Sequence, residues 1–150
     1  GTSFAELKQG FDICNDANYN DKYVQYTSTN KKKKDIDLER VPFNRYLDLW
    51  WVSFLVGVAR GHSRKLKKKS KFADGLQFEE WQRTLIRLIA MQHHGSEEVL
   101  QSASSVADIA NSYAAGGFLE VLDILDKETR PMWKISKLLE ELHDSEGQLL

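Results

Sequence analysis

Residues 47–59 constrain this chain more than any other stretch. They are apolar at nearly every position, with Asp48 near the start and Arg45 and Arg60 on the flanks. A bilayer span needs about 20 apolar residues, so the run is too short to cross one. A helix that is apolar all round must instead be covered from several sides. We therefore expect a central buried helix, capped by Asn44 and running through Tyr46, Leu49, Trp50, Ser53, Phe54, Gly57 and Val58. Gly61 should stop it, because glycine accepts the left-handed conformation at a helix C-terminus. Gly57 and Gly61 have G-x-x-x-G spacing, which here reads as a packing glycine and a cap. A chain of 150 residues, 41% hydrophobic and 29% charged, has enough material to cover this helix as one domain.

The covering elements are read from periodicity and punctuation. Ser3 with Glu6 has the form of a capping box, and Phe4, Leu7, Phe11 and Cys14 follow at helical spacing. Asn15–Asp21 is rich in turn formers. Tyr23–Thr29 has strand propensity and Asp35–Val41 alternates weakly, which suggests a hairpin across Asn30–Lys34. A helix should start near Phe78 and carry Phe78, Trp81, Leu85, Leu88 and Ile89 on one stripe, ending before Gly95. Ser96 with Glu97 and Glu98 reads as a further start, and Ser105 with Asp108 as a second capping box. Gly116-Gly117 then interrupts the pattern before Phe118, Val121, Leu122 and Leu125 resume it. Thr129-Arg130-Pro131 opens a last helix carrying Trp133, Ile135, Leu138, Leu139 and Leu142, with a frayed tail near 144–150. The fold class expected is all-α or mostly α: one bundle of about five or six helices, with the short β-hairpin as an optional addition. The four tryptophans, Trp50, Trp51, Trp81 and Trp133, read as core. Adjacent Trp50 and Trp51 cannot share one face, however, which leaves one of them for a subunit or partner interface.

A net charge of −1 conceals an asymmetry. Residues 22–71 hold 14 Lys/Arg against 4 Asp/Glu, whereas residues 72–150 hold 6 against 14. The basic middle contains two runs: Lys31, Lys32, Lys33 and Lys34, then Arg64, Lys65, Lys67, Lys68, Lys69 and Lys71. Each reads as a basic loop, near 30–35 and near 60–73. Such loops can meet a phosphate backbone by releasing its counterions, and Tyr23, Tyr26 and Phe72 beside them could stack on bases. They can equally be solvated loops, with the charge polarity serving association between like molecules.

Signs of catalysis are missing from the local sequence. There is no G-x-x-x-x-G-K-[ST], G-x-G-x-x-G or G-x-S-x-G frame, so no enzyme activity and no cofactor is expected. His93 and His94 are adjacent and point to different sides of a helix. Glu140 and His143 have E-x-x-H spacing, but the second such motif that a carboxylate-bridged metal bundle needs is missing, so no metal is expected. Cys14 is the single cysteine, so no internal disulfide can form. With no basic segment leading into an apolar run at the N-terminus, the expected location is the cytoplasm.

Ile109-Ala110-Asn111-Ser112-Tyr113-Ala114-Ala115-Gly116-Gly117-Phe118, followed by Val121-Leu122, resembles a segment of the DNA phosphorothioation-associated protein 4 family, small accessory proteins of bacterial DNA phosphorothioation islands. Tyr46-Leu47-Asp48-Leu49 leading to Gly57 is similar to that family's first helix, and Leu85–Ala90 to a later one. The resemblance spans residues 45–125, with Phe54-Leu55-Val56-Gly57 departing from the family's smaller residues. It implies a non-catalytic accessory component of a bacterial DNA modification or defence system, with other proteins of that system as partners and DNA contacted through the basic loops. Physically, Tyr113, Gly116 and Gly117 read as a structural turn, a glycine taking positive φ to end one helix and let the next begin. A purely protein-interacting adaptor or homo-oligomeric subunit, with no nucleic-acid contact and no membrane, is the competing expectation.

Overall fold

The computed structural model describes residues 11–29, 31–32, 34, 36–37 and 39–146. Along them run β1 (Asp12–Asp16), α1 (Asn20–Tyr26), α2 (Tyr46–Arg60), β2 (Lys69–Asp74), α3 (Glu80–His94), α4 (Ala103–Lys127) and α5 (Pro131–Glu146), with short 3-10 turns before α1, α3 and α4. The fold is thus a mostly helical bundle with a two-stranded antiparallel sheet. No helix among the described residues is long and apolar enough to cross a membrane.

α2 is the central helix that the apolar run requires. Leu49, Trp50, Phe54 and Val56 are wholly buried, and Gly61 closes the helix at φ 67°. The N-terminal cap differs from expectation. Asp48 reaches back to the Arg45 backbone N–H (3.1 Å) and its side chain (2.9 Å), while the Asn44 carbonyl is occupied by the Ser28 and Thr29 hydroxyls. Acid at this end also suits the helix dipole.

α4 is the second axis, and it corrects the reading of Gly116-Gly117 as a turn. The helix runs unbroken for 25 residues, starting from a Ser102 cap rather than Ser105, and neither glycine has positive φ. The physical reason is the crossing with α2. A Cβ at Gly117 would fall inside van der Waals contact of the Ser53 oxygen and the Gly57 nitrogen, and 3.0 Å from Gly57 Cα. One at Gly116 would overlap the His62 carbonyl, and one at Gly57 the Tyr113 carbonyl. The α2 and α4 backbones touch at Gly57 and Gly117, and at Gly116 α4 touches the chain just beyond α2; any side chain there would hold the backbones apart. Gly57 is the packing glycine and Gly61 the cap, as the spacing suggests.

The strands are not where propensity placed them. Tyr23–Tyr26, expected as strand, lies in α1, where Tyr23 and Tyr26 bury one face and Tyr23 stacks on Phe118 with ring centroids 5.2 Å apart. The Asp35–Val41 half of the expected hairpin forms no strand over its described residues. Cys14, expected at the end of an N-terminal helix, is in β1; residues 1–10 of that helix lie outside the described residues. β1 pairs with β2 from Asp12↔Asp74 to Asp16↔Lys69, and the register shifts between Ile13 and Cys14 so that Phe72 is the extra residue on β2. Such a bulge re-aims a side chain. Here Phe72 joins Tyr23 and Tyr46, with centroids 5.6 and 5.7 Å away.

α3 caps on Gly95 at φ 86°, as expected, and buries Ile86 and Ala90; of the expected stripe, Phe78 is buried just ahead of the helix and Leu85 and Ile89 pack partly buried against the core. Trp81 and Leu88 are 56% and 50% exposed, so this face of α3 is open. Trp50 and Trp51 both enter the core, Trp51 stacking edge-on against Trp81, and Trp133 is half exposed on α5 beneath Arg130 and Lys137. α5 begins at Pro131 as read, buries Ile135, Leu138 and Leu142, and continues to Glu146, past the expected start of fraying.

Candidate nucleic-acid interface

The second basic run leaves α2 at Gly61 and travels back along α4. Its backbone is fastened at three points: His62 N–H to Gly57 O (2.8 Å), Arg64 N–H to Ser112 O (2.9 Å), and Lys68 O to Ala17 N–H (2.8 Å). Leu66, its single apolar residue, is 7% exposed and packs with Cys14 and Ala115. The run is therefore held against the domain, and from residue 69 it is strand β2, not loop. With Leu66 turned in, Lys65, Lys67 and Lys68 are exposed.

The remaining members of the run have other partners. Arg64 is half-buried with its guanidinium 5.8 Å from the Tyr19 ring centroid, and its Nε and Nη2 meet no hydrogen-bond partner. Lys69 pairs with Asp108 at 2.8 Å and Lys71 with Asp12 at 3.0 Å. Each carboxylate holds its lysine above the usual pKa by a direct hydrogen bond. Lys22–Asp126 (3.1 Å) and Arg60–Glu120 (3.0 Å) repeat the pattern. Four cations of the basic middle are thus paired with acids from outside it. Each such surface pair is worth about 0–1 kcal/mol, so their main effect is to decide which charges stay available.

The first run is divided as well. The Lys31 ammonium sits on the C-terminal carbonyls of α1, donating to Val24, to Gln25 (3.3 Å) and to Thr27 (2.5 Å). A cation is favourable there because the last carbonyls of a helix lack partners and carry its negative dipole end. Lys32 and Lys34 are exposed, and Lys33 lies outside the described residues. The two runs stand at opposite ends of α1, Lys31 at its C-terminus and Lys68 beside the turn that enters it. They do not converge on one spot.

Of the aromatic residues expected to stack on bases, Phe72 is half-buried against Tyr23 and Tyr46, and the two tyrosines are not available. Tyr23 and Tyr26 are buried, and Tyr26 donates its hydroxyl to Asp126. Burial and that carboxylate push the Tyr26 phenol well above its ordinary range. Tyr113 packs edge-on to His93, its hydroxyl 3.0 Å from Nδ1, and so joins α4 to α3.

Two features escaped the sequence. The first is a cleft of about 390 Å³ beside the basic run, between it, α4 and the end of α3, lined by Lys65, Lys69, His93, Asp108, Ile109 and Ser112. The second is Asn111, 2% exposed, whose carboxamide serves the free edge of β1. It accepts from Cys14 N–H (2.9 Å), donates to the Asp12 carbonyl (2.8 Å), and accepts from the Trp50 indole N–H (3.1 Å). Asn111 stands inside the segment that carries the family resemblance, but only the fold gives it a role.

Cys14 lies under the basic run and reports on it. Burial and the nearby Asp12 carboxylate raise its pKa, which disfavours the reactive thiolate. Labelling by a disulfide reagent at pH 8 should be slower than for a free thiol by roughly 100-fold or more, with the full rate restored by denaturant. A fast labelling phase in native buffer would mean that residues 62–68 lift from the domain.

Comparison with protein-family models, curated proteins and solved structures finds no match to this chain. The arrangement consists of a mostly helical domain, a fastened basic ridge and a polar cleft; among the described residues no group of three or more His, Cys, Asp and Glu could hold a metal ion.

Proposed function

We propose that this protein is a non-catalytic, cytoplasmic accessory component of a bacterial DNA modification or defence system, and that it touches the phosphate backbone without reading sequence. The observation that supports this best is the ridge of Lys65, Lys67 and Lys68, exposed on a segment whose backbone is already fixed. Lysines on a fixed support lose less conformational freedom on binding than lysines on a loose loop. Lys32 and Lys34 supply a secondary contact beyond the far end of α1. Lys31, Lys69 and Lys71 are engaged within the domain and contribute little. The biological context rests on the resemblance of residues 109–122 to the phosphorothioation-associated family. That segment forms the α2–α4 crossing, so what it supports is kinship of fold.

The test is fluorescence anisotropy with a labelled duplex and a labelled single strand at several salt concentrations. Removing one lysine from a phosphate flattens the slope of log K against log salt by roughly 0.9 on duplex DNA. The triple variant Lys65→Gln, Lys67→Gln, Lys68→Gln should therefore bind more weakly, with the slope reduced by roughly 2 to 3. The same affinity and slope in wild type and variant would sink the assignment.

A protein-binding adaptor is the second reading. Trp81 and Leu88, seven residues apart on the open face of α3, favour it. Sizing at two salt concentrations separates the two: a salt-independent oligomer fits an apolar α3 interface, and a monomer that binds DNA fits the first reading.

A further inference from the structure

We infer that the exposed indole of Trp133 on α5 is a stacking platform for an unpaired nucleobase, set among cations that meet the phosphates of a single strand. It rests on the reading that this protein contacts DNA, and adds a preference for single strands at a second place on the surface. The patch is hidden in the sequence because it lies in the acidic half of the chain. Residues 72–150 hold six Lys/Arg, and three of them, Arg130, Lys134 and Lys137, fall within residues 130–137, which contain no acid. All three are exposed. The fold then brings the first basic run beside them. Glu39 accepts a hydrogen bond from the Met132 backbone N–H (3.1 Å), a contact across 93 positions of sequence. The segment that Glu39 fastens to the start of α5 carries Lys32, Lys34 and Arg40, all exposed.

Trp133 is 49% exposed, while Ile135, Leu138 and Leu142 turn the opposite face of α5 into the core. Arg130 and Lys137 stand 5.9 and 5.7 Å from its ring centroid, near the outer limit of a cation–π contact. Lys137 has a further, long ion pair with Glu140 (3.7 Å), and Lys134 is exposed between them. Local helix energetics do not account for these charges. The first turn of α5 has no acid of its own, and cations at a helix N-terminus oppose its dipole. A polyanion bound there would offset that cost. An exposed ring with cations on both sides matches a single strand, which offers a base face and phosphates together. A duplex keeps its bases stacked on one another and offers the phosphates alone. An anionic lipid surface would need a broad apolar face to sink below the headgroups. Among the described residues of α5, only Met132 and Trp133 are large, apolar and exposed.

The test is anisotropy on a labelled thymidine oligomer and a labelled blunt duplex of the same length. Trp133→Ala is expected to weaken single-strand binding about tenfold, the loss that follows removal of one stacked base, and to leave duplex affinity unchanged. Trp133→Tyr, which keeps a ring, should recover most of that loss. Trp81→Ala removes a similarly exposed tryptophan from α3 and should change neither affinity. Arg130→Gln with Lys134→Gln should flatten the single-strand salt slope by roughly 1.4, at about 0.7 for each phosphate contact. Unchanged single-strand affinity in Trp133→Ala overturns the platform, and so does an equal loss on the duplex, because the residue then acts through the fold. The Lys65, Lys67 and Lys68 variant keeps the two readings apart. If its slope falls while Trp133→Ala binds like wild type, the ridge stands and the platform falls. If it binds like wild type while Trp133→Ala loses the single strand, the platform stands and the ridge falls. A wild type that binds neither nucleic acid overturns the platform, and adhesion to phosphatidylglycerol vesicles that is lost in Trp133→Ala would then give the patch to an anionic lipid surface.

Discussion

Gly117→Ala is expected to lower stability by about 3 kcal/mol or more, read as a drop in denaturant midpoint and, for a domain of this size, a fall in melting temperature of roughly 10 °C. The sign is the informative part. In an ordinary helix interior the same change stabilises by about 1 kcal/mol, because glycine has the larger backbone entropy to lose. Here the new methyl group meets the Ser53 carbonyl and the Gly57 amide, which are backbone atoms of α2 and cannot rotate aside. The helices must separate, and Trp50, Phe54, Val106 and Val121, all fully buried, lose their close packing. Gly61→Ala is the contrasting control: nothing lies within 4 Å of its would-be Cβ, so only the left-handed backbone, at about 1–2 kcal/mol, opposes it. A Gly117→Ala protein as stable as wild type would mean that α2 and α4 are not in backbone contact.

The second large effect is expected at Asn111. Truncation to alanine leaves the Cys14 amide, the Trp50 indole N–H and the Asp12 carbonyl without their partner at a buried position. Each orphaned group costs about 1–3 kcal/mol, so a total of about 3 kcal/mol or more follows even with partial relaxation. Asn111→Asp should rescue little. It keeps an acceptor for Cys14 and Trp50 but sets a second oxygen against the Asp12 carbonyl and buries a charge. Faster exchange of the Trp50 indole proton and the Cys14 amide, followed by NMR, would localise the damage. A loss under 1 kcal/mol in Asn111→Ala would show that water can replace the carboxamide.

The legible parts of the fold are those that short-range physics determines. Arg45–Gly61 could be bounded because an apolar run and a left-handed glycine agree, and Gly95 and Pro131 gave equally local stops and starts. Gly116-Gly117 misled because their helix penalty is visible in the sequence while the backbones that need them, His62 for Gly116 and α2 for Gly117, are not. Tyr23–Tyr26 has the composition of a strand, but helical spacing lets Tyr23 and Tyr26 bury together against α4, and packing outweighs so weak a propensity. β1 could not be found from its own residues, because its partner β2 begins more than 50 residues later and its other edge is completed by a side chain of α4. The lysines were visible as charge only. That Lys31 caps α1, that Lys69 and Lys71 face Asp108 and Asp12, and that Leu66 turns the run so Lys65, Lys67 and Lys68 look outward are facts of three-dimensional placement.

The shared acceptor on Asn111 also sets an order of assembly. Its Oδ1 is taken by Trp50 from α2 and by Cys14 from β1, and Cys14 lies 97 residues away along the chain. The closure entropy of so long a loop is recovered only when a finished docking surface is waiting for the strand. That surface is the α2–α4 pair carrying Asn111, so β1 is expected to dock after that pair, as later-appearing amide protection at Cys14 than at Trp50 in pulse-labelled refolding would show. The same sequence in reverse makes β1 the first element to leave. Only the Lys68 end of the ridge, hydrogen-bonded to Ala17 and continuing into β2, depends on β1, whereas His62 and Arg64 stay bonded to α2 and α4. A strand bound across Lys67 and Lys68 would therefore hold down the end of the ridge that β1 and β2 secure, and so favour the docked strand pair.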